Sequence, residues 1–403
     1  MDPPIDNSWV TLDIPAIQRA LKTDGLDGWL LYDFHGSNPI ASRLAGLTDG
    51  THMTTRRWFY LIPATGEPRG LVHAIERHNL DRLPGEKVVY AGRHQLDAAL
   101  TELLAGMSTV AMEYSADCAI PYLSRLDAGT AESIRRRGVT IQSSGDLVQQ
   151  FEAAWDETQL ASHRLASDAL YRIKDRAFAA VTEALRNGVA LTEFDLQQQM
   201  VRWFADEQLE TDSPPVVAVG ANAGDPHYLP APAGSRPIVP DEVLLLDLWG
   251  KRMDAGAVFA DITWVGFTGR TVPRPVADAF RAIVEARDAA VTLVEDASRS
   301  GRDVRGWEID QAARGVLIRA GYEDHILHRT GHSLGEHVHG NGVHLDDFET
   351  HDDRRVLPGA GFTIEPGLYF ETFGVRTEIN IYRNSRAALV TGPRQMEIMR
   401  LVE

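Results

Sequence analysis

The sequence predicts two domains, an α/β domain over residues 1–153 and an α+β domain over residues 154–403 built from two related halves. Three observations carry this reading. Short β-branched or aromatic runs alternate with helical patterns up to about residue 150. A long amphipathic stretch without glycine or proline follows at roughly 154–186. Beyond it one pattern occurs twice, "GVALTEFDL" from Gly188 and "GRDVRGWEI" from Gly301. At 403 residues the chain is too long for one ordinary core and suits two.

In the first domain "GWLLYDF", "RRWFYLIPA", "RGLVHAI", "KVVYAG", "STVAMEY" and "VTIQS" read as strands bounded by turn residues. Between two of them "LDAALTELLAGM" repeats apolar residues at three and four, as a helix does. Asp33, His35, Asn38 and Arg43 in "DFHGSNPIASR" read as a solvated loop after a strand, with an active-site fringe as the alternative. The 154–186 helix bridges into the second domain. There each copy of the repeated pattern follows a long helix and opens another, at 194–208 and 307–320, and strands come next. Shared capping chemistry explains such a match locally. The common order of elements favours duplication, with a pseudo-twofold domain and a cleft between its halves.

Hydrophobic residues make up 44% and charged residues 24%, the balance of a soluble globular chain. A net charge of −17 argues against nucleic acid as a partner and suits a site that collects cations. The single cysteine, Cys118, excludes a disulfide framework and a thiolate zinc site, and reads as a small half-buried apolar residue. The opening "MDPPIDNSWV" has no signal-peptide pattern, and runs such as "VLLLDLWG" are too short to span a bilayer. A cytoplasmic protein without membrane partners is the expectation.

Four acids stand in apolar strand contexts: Asp247 in "EVLLLDLWG", Asp261 in "VFADITWVGF", Glu365 in "GFTIEPGLYF" and Glu378 in "GVRTEINIY". A carboxylate in a strand core is expensive unless paired or bound to a cation. Few lysines lie nearby, and two divalent cations would balance four carboxylates, with one neutral imidazole completing the set. Oxygen-rich ligation with one nitrogen points to Mn²⁺, with Co²⁺ or Zn²⁺ as alternatives. Two such ions hold and activate a water as nucleophile. The "MDAG" turn lets the strands of Asp247 and Asp261 pair as a hairpin.

"HRTGHSLGEHVH", residues 328–339, holds four histidines. It is not the helical zinc motif, because Gly331 and Gly335 break a helix and no glutamate follows His328.

Two aspartates on a hairpin, "HRTGHSLGEHVH", "TIEPGLY" and "GVRTE" together resemble the M24 metallopeptidases over about residues 155–403. The resemblance implies a pita-bread catalytic domain. The domain in front is similar to that of the Xaa-Pro branch, the prolidases and aminopeptidase P. It implies Asp247 as ligand of one metal, His332 and Glu365 as ligands of the other, and Asp261 and Glu378 as bridges. It also implies substrate-side roles for His227, His328 and His339, a supporting role for Arg376, and no role for His337.

The implied activity is hydrolysis of the Xaa-Pro bond at the N-terminus of a dipeptide or short peptide by a metal-bridging hydroxide, with Glu365 as general base. A homodimer or homotetramer is implied as well. The alternatives are a catalytically inactive protein-binding module, which the complete ligand set opposes, and a same-fold metal-dependent hydrolase or lyase of a small non-peptide substrate. Three features depart from the family: a longer Asp247–Asp261 hairpin with Asp254 as a competing ligand, Ser333 in place of a glycine, and Trp264 in place of an arginine.

Overall fold

A computed structural model describes residues 12–48 and 50–402, which divide into two units, Met1–Glu152 and Ala153–Glu403. The stretch "MDPPIDNSWV" lies outside the described residues. In the first unit a mixed six-stranded sheet runs in the order β4-β3-β2-β1-β5-β6. Its strands are β1 (Gly28–Asp33), β2 (Trp58–Pro63), β3 (Arg69–His73), β4 (Glu86–Tyr90), β5 (Thr109–Met112) and β6 (Thr140–Ser143). Five helices accompany them: α1 (Ile14–Thr23), α2 (Pro39–Leu44), α3 (Arg93–Leu103), α4 (Ala128–Arg135) and the short α5 (Gly145–Val148). Alternation along β1 explains the two-sided burial. Trp29 and Leu31 pack with Ile17, Leu21 and Ile40 of α1 and α2. Leu30 and Tyr32 pack with Leu96, Leu100 and Ile134 of α3 and α4.

Two expectations in this unit need correction. The 33–43 segment is not a solvated loop: Asp33 and Asn38 are buried, and α2 starts at Pro39. Asn38 caps that helix by accepting from Ala41 N at 3.1 Å, and donates to Tyr32 O and to Glu113 Oε2 at 2.9 and 2.8 Å. Asp33 accepts from the Gly36 and Asn38 amides, while His35 is exposed and Arg43 lies 3.4 Å from Glu152. Asx side chains that bond backbone locally are what a composition-based loop reading misses. Cys118 is exposed rather than half-buried, because it sits in the surface turn Ala116–Cys118.

The second unit opens with α6 (Glu157–Asn187), capped by Asp156 and ended by left-handed Gly188, and continues with α7 (Glu193–Asp206). The later pair is α8 (Arg274–Ser300), ended by left-handed Gly301, and α9 (Gly306–Arg319). Both copies of the repeated pattern thus serve the same local purpose. Asp195 bonds back to Thr192 N, and Glu308 bonds back to Arg305 N.

The strands are β7 (Leu209–Glu210), β8 (Val216–Val219), β9 (Val243–Arg252), β10 (Ala260–Phe267), β11 (Gly361–Ile364), β12 (Gly367–Tyr369), β13 (Gly374–Arg376), β14 (Ile379–Arg383), β15 (Ala388–Val390) and β16 (Met399–Arg400). They form a sheet β16-β10-β9-β7 with β8 beside β9, a sheet β11-β14-β15, and the pair β12-β13. Along β9, Leu244, Leu246 and Leu248 join the core of α6 and α7, as do Ala260 and Ile262 of β10. Period two then sends Asp247, Asp261 and Thr263 to the opposite face.

Residues 326–360 contain no helix or strand, yet they carry the histidine cluster. Buried aspartates satisfy this irregular backbone. Asp310 of α9 accepts from Thr330 N and Oγ1 and from Asp347 N, at 3.0, 2.6 and 3.0 Å. Asp346 accepts from the amides of Phe348 and Glu349, and Asp352 from that of His344. No helix of the described residues is long and apolar enough to cross a membrane.

His163 on α6 yields a pH prediction. It is fully buried, with Nδ1 donating to Phe259 O at 2.8 Å and Nε2 2.7 Å from Thr391 Oγ1. Burial pushes its ring down to about 4. The unfolded chain takes up this proton near the ordinary value of 6.5, so between the two values the unfolded state binds more protons. Stability is therefore complete above 6.5 and is lost as pH falls toward 4, by about 3 kcal/mol at most. Urea denaturation of unit 2 at pH 7 and pH 4.5 should show this slope, and His163→Gln should flatten it. An unchanged slope in the variant would refute the assignment.

Candidate metal centre

In the β9-β10 ladder Thr263 lies opposite Asp247, and Asp261 lies opposite Trp249. Asp247 and Asp261 are therefore diagonal neighbours on one face, within reach of a common partner. Asp254 is exposed in the turn after β9, where it lies 3.8 Å from Arg252. The Asn380 side chain brackets Asp261 from β14, accepting from its amide at 2.9 Å and donating to its carbonyl. Glu378, between β13 and β14, accepts from Thr263 Oγ1 at 2.8 Å, and its amide donates to Thr263 O at 3.3 Å.

His332 is positioned by backbone. Its amide donates to Thr363 Oγ1 and its carbonyl accepts from Thr363 N, at 2.9 and 2.8 Å. A Cβ on the preceding Gly331 would stand 2.2 Å from Thr363 O, so only glycine allows this approach. The ring Nδ1 faces the Ser333 carbonyl at 3.1 Å and must donate to it. In the neutral ring Nε2 is then the bare nitrogen, 3.6 Å from Asp261 Oδ2 and 3.4 Å from Glu365 Oε1.

Asp261, His332 and Glu378 each offer one ligand atom within 4.8 Å of the others. All three are buried, and Asp261 Oδ1 and Glu378 Oε1 have no hydrogen-bond partner. Burial, then the neighbouring acids, pushes both carboxyls well above the ordinary range. Burial likewise lowers His332, which keeps the ring neutral. Two buried acids, each with an orphan oxygen, clustered with a bare imidazole nitrogen are the donor set of a cation site. Glu365 touches this trio through His332, and accepts from Thr363 Oγ1 at 3.1 Å. Burial alone would raise its carboxyl, but His332, His328 and Arg376 together hold it below the usual range.

Asp247 is turned differently. Arg376 Nη2 donates to its Oδ2 at 2.5 Å, Nε donates to Thr263 Oγ1 at 3.0 Å and Nη1 to Tyr369 OH at 2.8 Å. This corrects the charge count made from sequence, because one of the four acids already has a buried guanidinium partner. Tyr369 OH lies 2.7 Å from His328 Nε2, and His328 Nδ1 lies 2.6 Å from Arg329 O. Arginine cannot accept, so the chain runs one way: Arg376 to Tyr369, Tyr369 to His328, His328 to the Arg329 carbonyl.

His339 is exposed, its ring 4.4 Å from that of His332, and His337 is exposed as well. His227 is exposed on a segment that the buried Glu193 holds through Val219 N, Asn222, Tyr228 OH and Arg236 N. Ser333 Oγ accepts from Gly342 N at 3.0 Å, which gives the departure from glycine a local use. Trp264 carries the Lys174 ammonium 3.9 Å above its ring. Sequence reasoning passed over Thr263, Asn380 and Tyr369. The first two stand two residues after a predicted ligand on the same strand face, a signal that period two makes readable. Thr263→Val should cost about 1–3 kcal/mol and weaken metal binding, since the hydroxyl joins Arg376 to Glu378. Unchanged melting and metal affinity would contradict that role.

Carboxylates gathered around one buried imidazole on this α+β scaffold are the donor set of a metal-binding protein. Residues 168–383, over half of the chain, match Metallopeptidase family M24, and the chain belongs to that family. It is 30% identical over 245 residues to the Xaa-Pro dipeptidase of Lactobacillus delbrueckii subsp. lactis, a match covering 58% of each protein. The chain thus spans little more than half of that relative's length. Dipeptidase PepE from Mycobacterium ulcerans superimposes with a TM-score of 0.68 at 22% identity, over 97% of both chains. Prolidase from Thermococcus sibiricus does so with 0.60 at 19%, over 96% of this chain and 98% of that one. These likenesses are of fold, the pita-bread fold with a preceding α/β unit.

Proposed function

We propose that the second unit hydrolyses the Xaa-Pro bond at the N-terminus of a dipeptide or short peptide. Asp247, Asp261, His332, Glu365 and Glu378 would hold two divalent cations, Mn²⁺ first, with Co²⁺ or Zn²⁺ as alternatives. The observation that supports this most is the pair of buried, unpartnered oxygens on Asp261 and Glu378 beside His332. Cations bound there would supply a water acidic enough to ionise near neutral pH and a Lewis acid toward the scissile carbonyl. The Xaa-Pro dipeptidase relative supports proline at the second position.

The chain's own groups divide the remaining work. Glu365 takes the proton of the attacking water, because its neighbours keep it ionised. Asp261 receives the free α-amino group of the substrate. His339, exposed beside His332, donates to the oxyanion as it develops. Arg376 holds Asp247 in place, and His227 and His328 shape the proline side.

The test is direct. Purified protein should bind about two Mn²⁺ per chain and then cleave Ala-Pro, or Ala-Pro-Xaa, in preference to Ala-Ala. Cleavage of Ala-Ala with Ala-Pro untouched rejects the proline reading. A protein that takes up no metal rejects the hydrolase.

A further inference from the structure

Beside the cluster, one acid is still without a role. Asp212 lies between β7 and β8, and its Oδ1 accepts from the indole Nε1 of Trp249 at 2.6 Å. Trp249 is the direct cross-strand partner of Asp261, so their side chains are same-face neighbours. Asp212 is thus one indole's length from the acid that receives the substrate's amino end. Its carboxylate is exposed, and among the described residues it has no cationic partner. Lys251, on the same face of β9, is committed to Glu210 at 3.3 Å and to the Glu336 carbonyl at 2.9 Å.

The support of Asp212 is stiff. Thr211 Oγ1 bonds Ser213 O at 2.9 Å, Pro214 and Pro215 follow, and the buried Gln197 amide donates to Pro215 O at 2.9 Å. An anion held this way offers its free oxygen without ordering cost. Its charge also reaches the cluster. Burial is the main reason the Asp261 carboxyl is raised, with Asp247 and Glu365 next, and Asp212 adds to them.

We propose that Asp212 is a specificity-determining residue that selects substrates whose first residue carries a cationic side chain, lysine or arginine. The inference rests on the reading above for the α-amino group's place at Asp261. With that group there, the first side chain extends along the Trp249 face toward Asp212.

The experiment compares kcat/KM for Lys-Pro and Ala-Pro. Wild type should favour Lys-Pro, and Asp212→Asn, which keeps an acceptor for Trp249, should lower the Lys-Pro to Ala-Pro ratio about tenfold. Asp212→Lys should shift preference toward Glu-Pro. The wild-type preference should fade with added salt, as an exposed pair does. A ratio unchanged in both variants, or equal losses on both substrates, overturns the proposal. Lys-Ala and Ala-Ala form a second pair: if no proline dipeptide is cleaved, the proline reading fails while the Lys-Ala ratio still judges Asp212. A readout free of turnover is calorimetric binding of lysinamide against alaninamide. Loss of the lysinamide advantage in Asp212→Asn supports the proposal, and its persistence overturns it.

Discussion

Replacing Glu365 with glutamine should lower kcat by about 10²–10⁴-fold at equal metal occupancy. Glu365 is the one acid of the cluster whose carboxyl is held below the usual range, because His332, His328 and Arg376 outweigh burial. The other three, Asp247, Asp261 and Glu378, are raised, so they resist ionising unless a cation compensates them. Glu365 is thus the acid held toward its ionised form by its own neighbours, and it stands 3.4 Å from His332 Nε2. Glutamine keeps the shape, the carbonyl oxygen and the contact with Thr363 Oγ1, but it has no basic site. Metal content measured on the same preparation separates lost chemistry from lost metal. Turnover within tenfold of wild type at full occupancy would remove Glu365 from the mechanism.

Glu378→Gln should do two things that look contradictory. The metal-free variant should be more stable than metal-free wild type, by on the order of 1–3 kcal/mol. Yet it should lose the rise in Tm that Mn²⁺ gives the wild type. The reason is common to both effects. Glu378 is 2% exposed, its Oε1 has no partner, and Asp261, Glu365 and Asp247 crowd it. Without a cation that charge is a liability, and with one it is a ligand. Thr263 Oγ1 can still donate to the glutamine oxygen, so packing is retained. Scanning calorimetry with chelator and with Mn²⁺ checks both halves. A variant that melts lower than wild type in chelator would show that Glu378 is a structural acid.

The ligand candidates were legible because each is an acid or a histidine where the surrounding residues forbid one. Asp247 behind "VLLL" and Glu378 inside "GVRTEINIY" violate strand burial, and such violations are costly enough to require a use. The six strands of the first unit were legible as β-branched or aromatic runs bounded by turn residues, and its helices as apolar residues recurring at three and four. The 33–43 segment and Cys118 were misread because burial there depends on local side-chain-to-backbone bonds and on where a turn falls, and neither has a period.

Partnership among charges was the harder part. Arg376, expected beside the last glutamate, reaches it through Thr263 Oγ1, and its guanidinium also spans Tyr369 and Asp247, the latter 129 positions away. The His328 ring, proposed to line the proline side, is anchored at both nitrogens, by the Arg329 carbonyl and by the hydroxyl of Tyr369.

The sequence by itself determined the residue types, the strand faces they occupy and the family, since those follow from short-range pattern and spacing. Tertiary structure alone decided which acids are compensated from within and which are left with bare oxygens, and it set Asp212 against Trp249 beside Asp261. Electrostatic compensation acts through space over a few ångströms, and the groups it joins here are separated by many tens of residues.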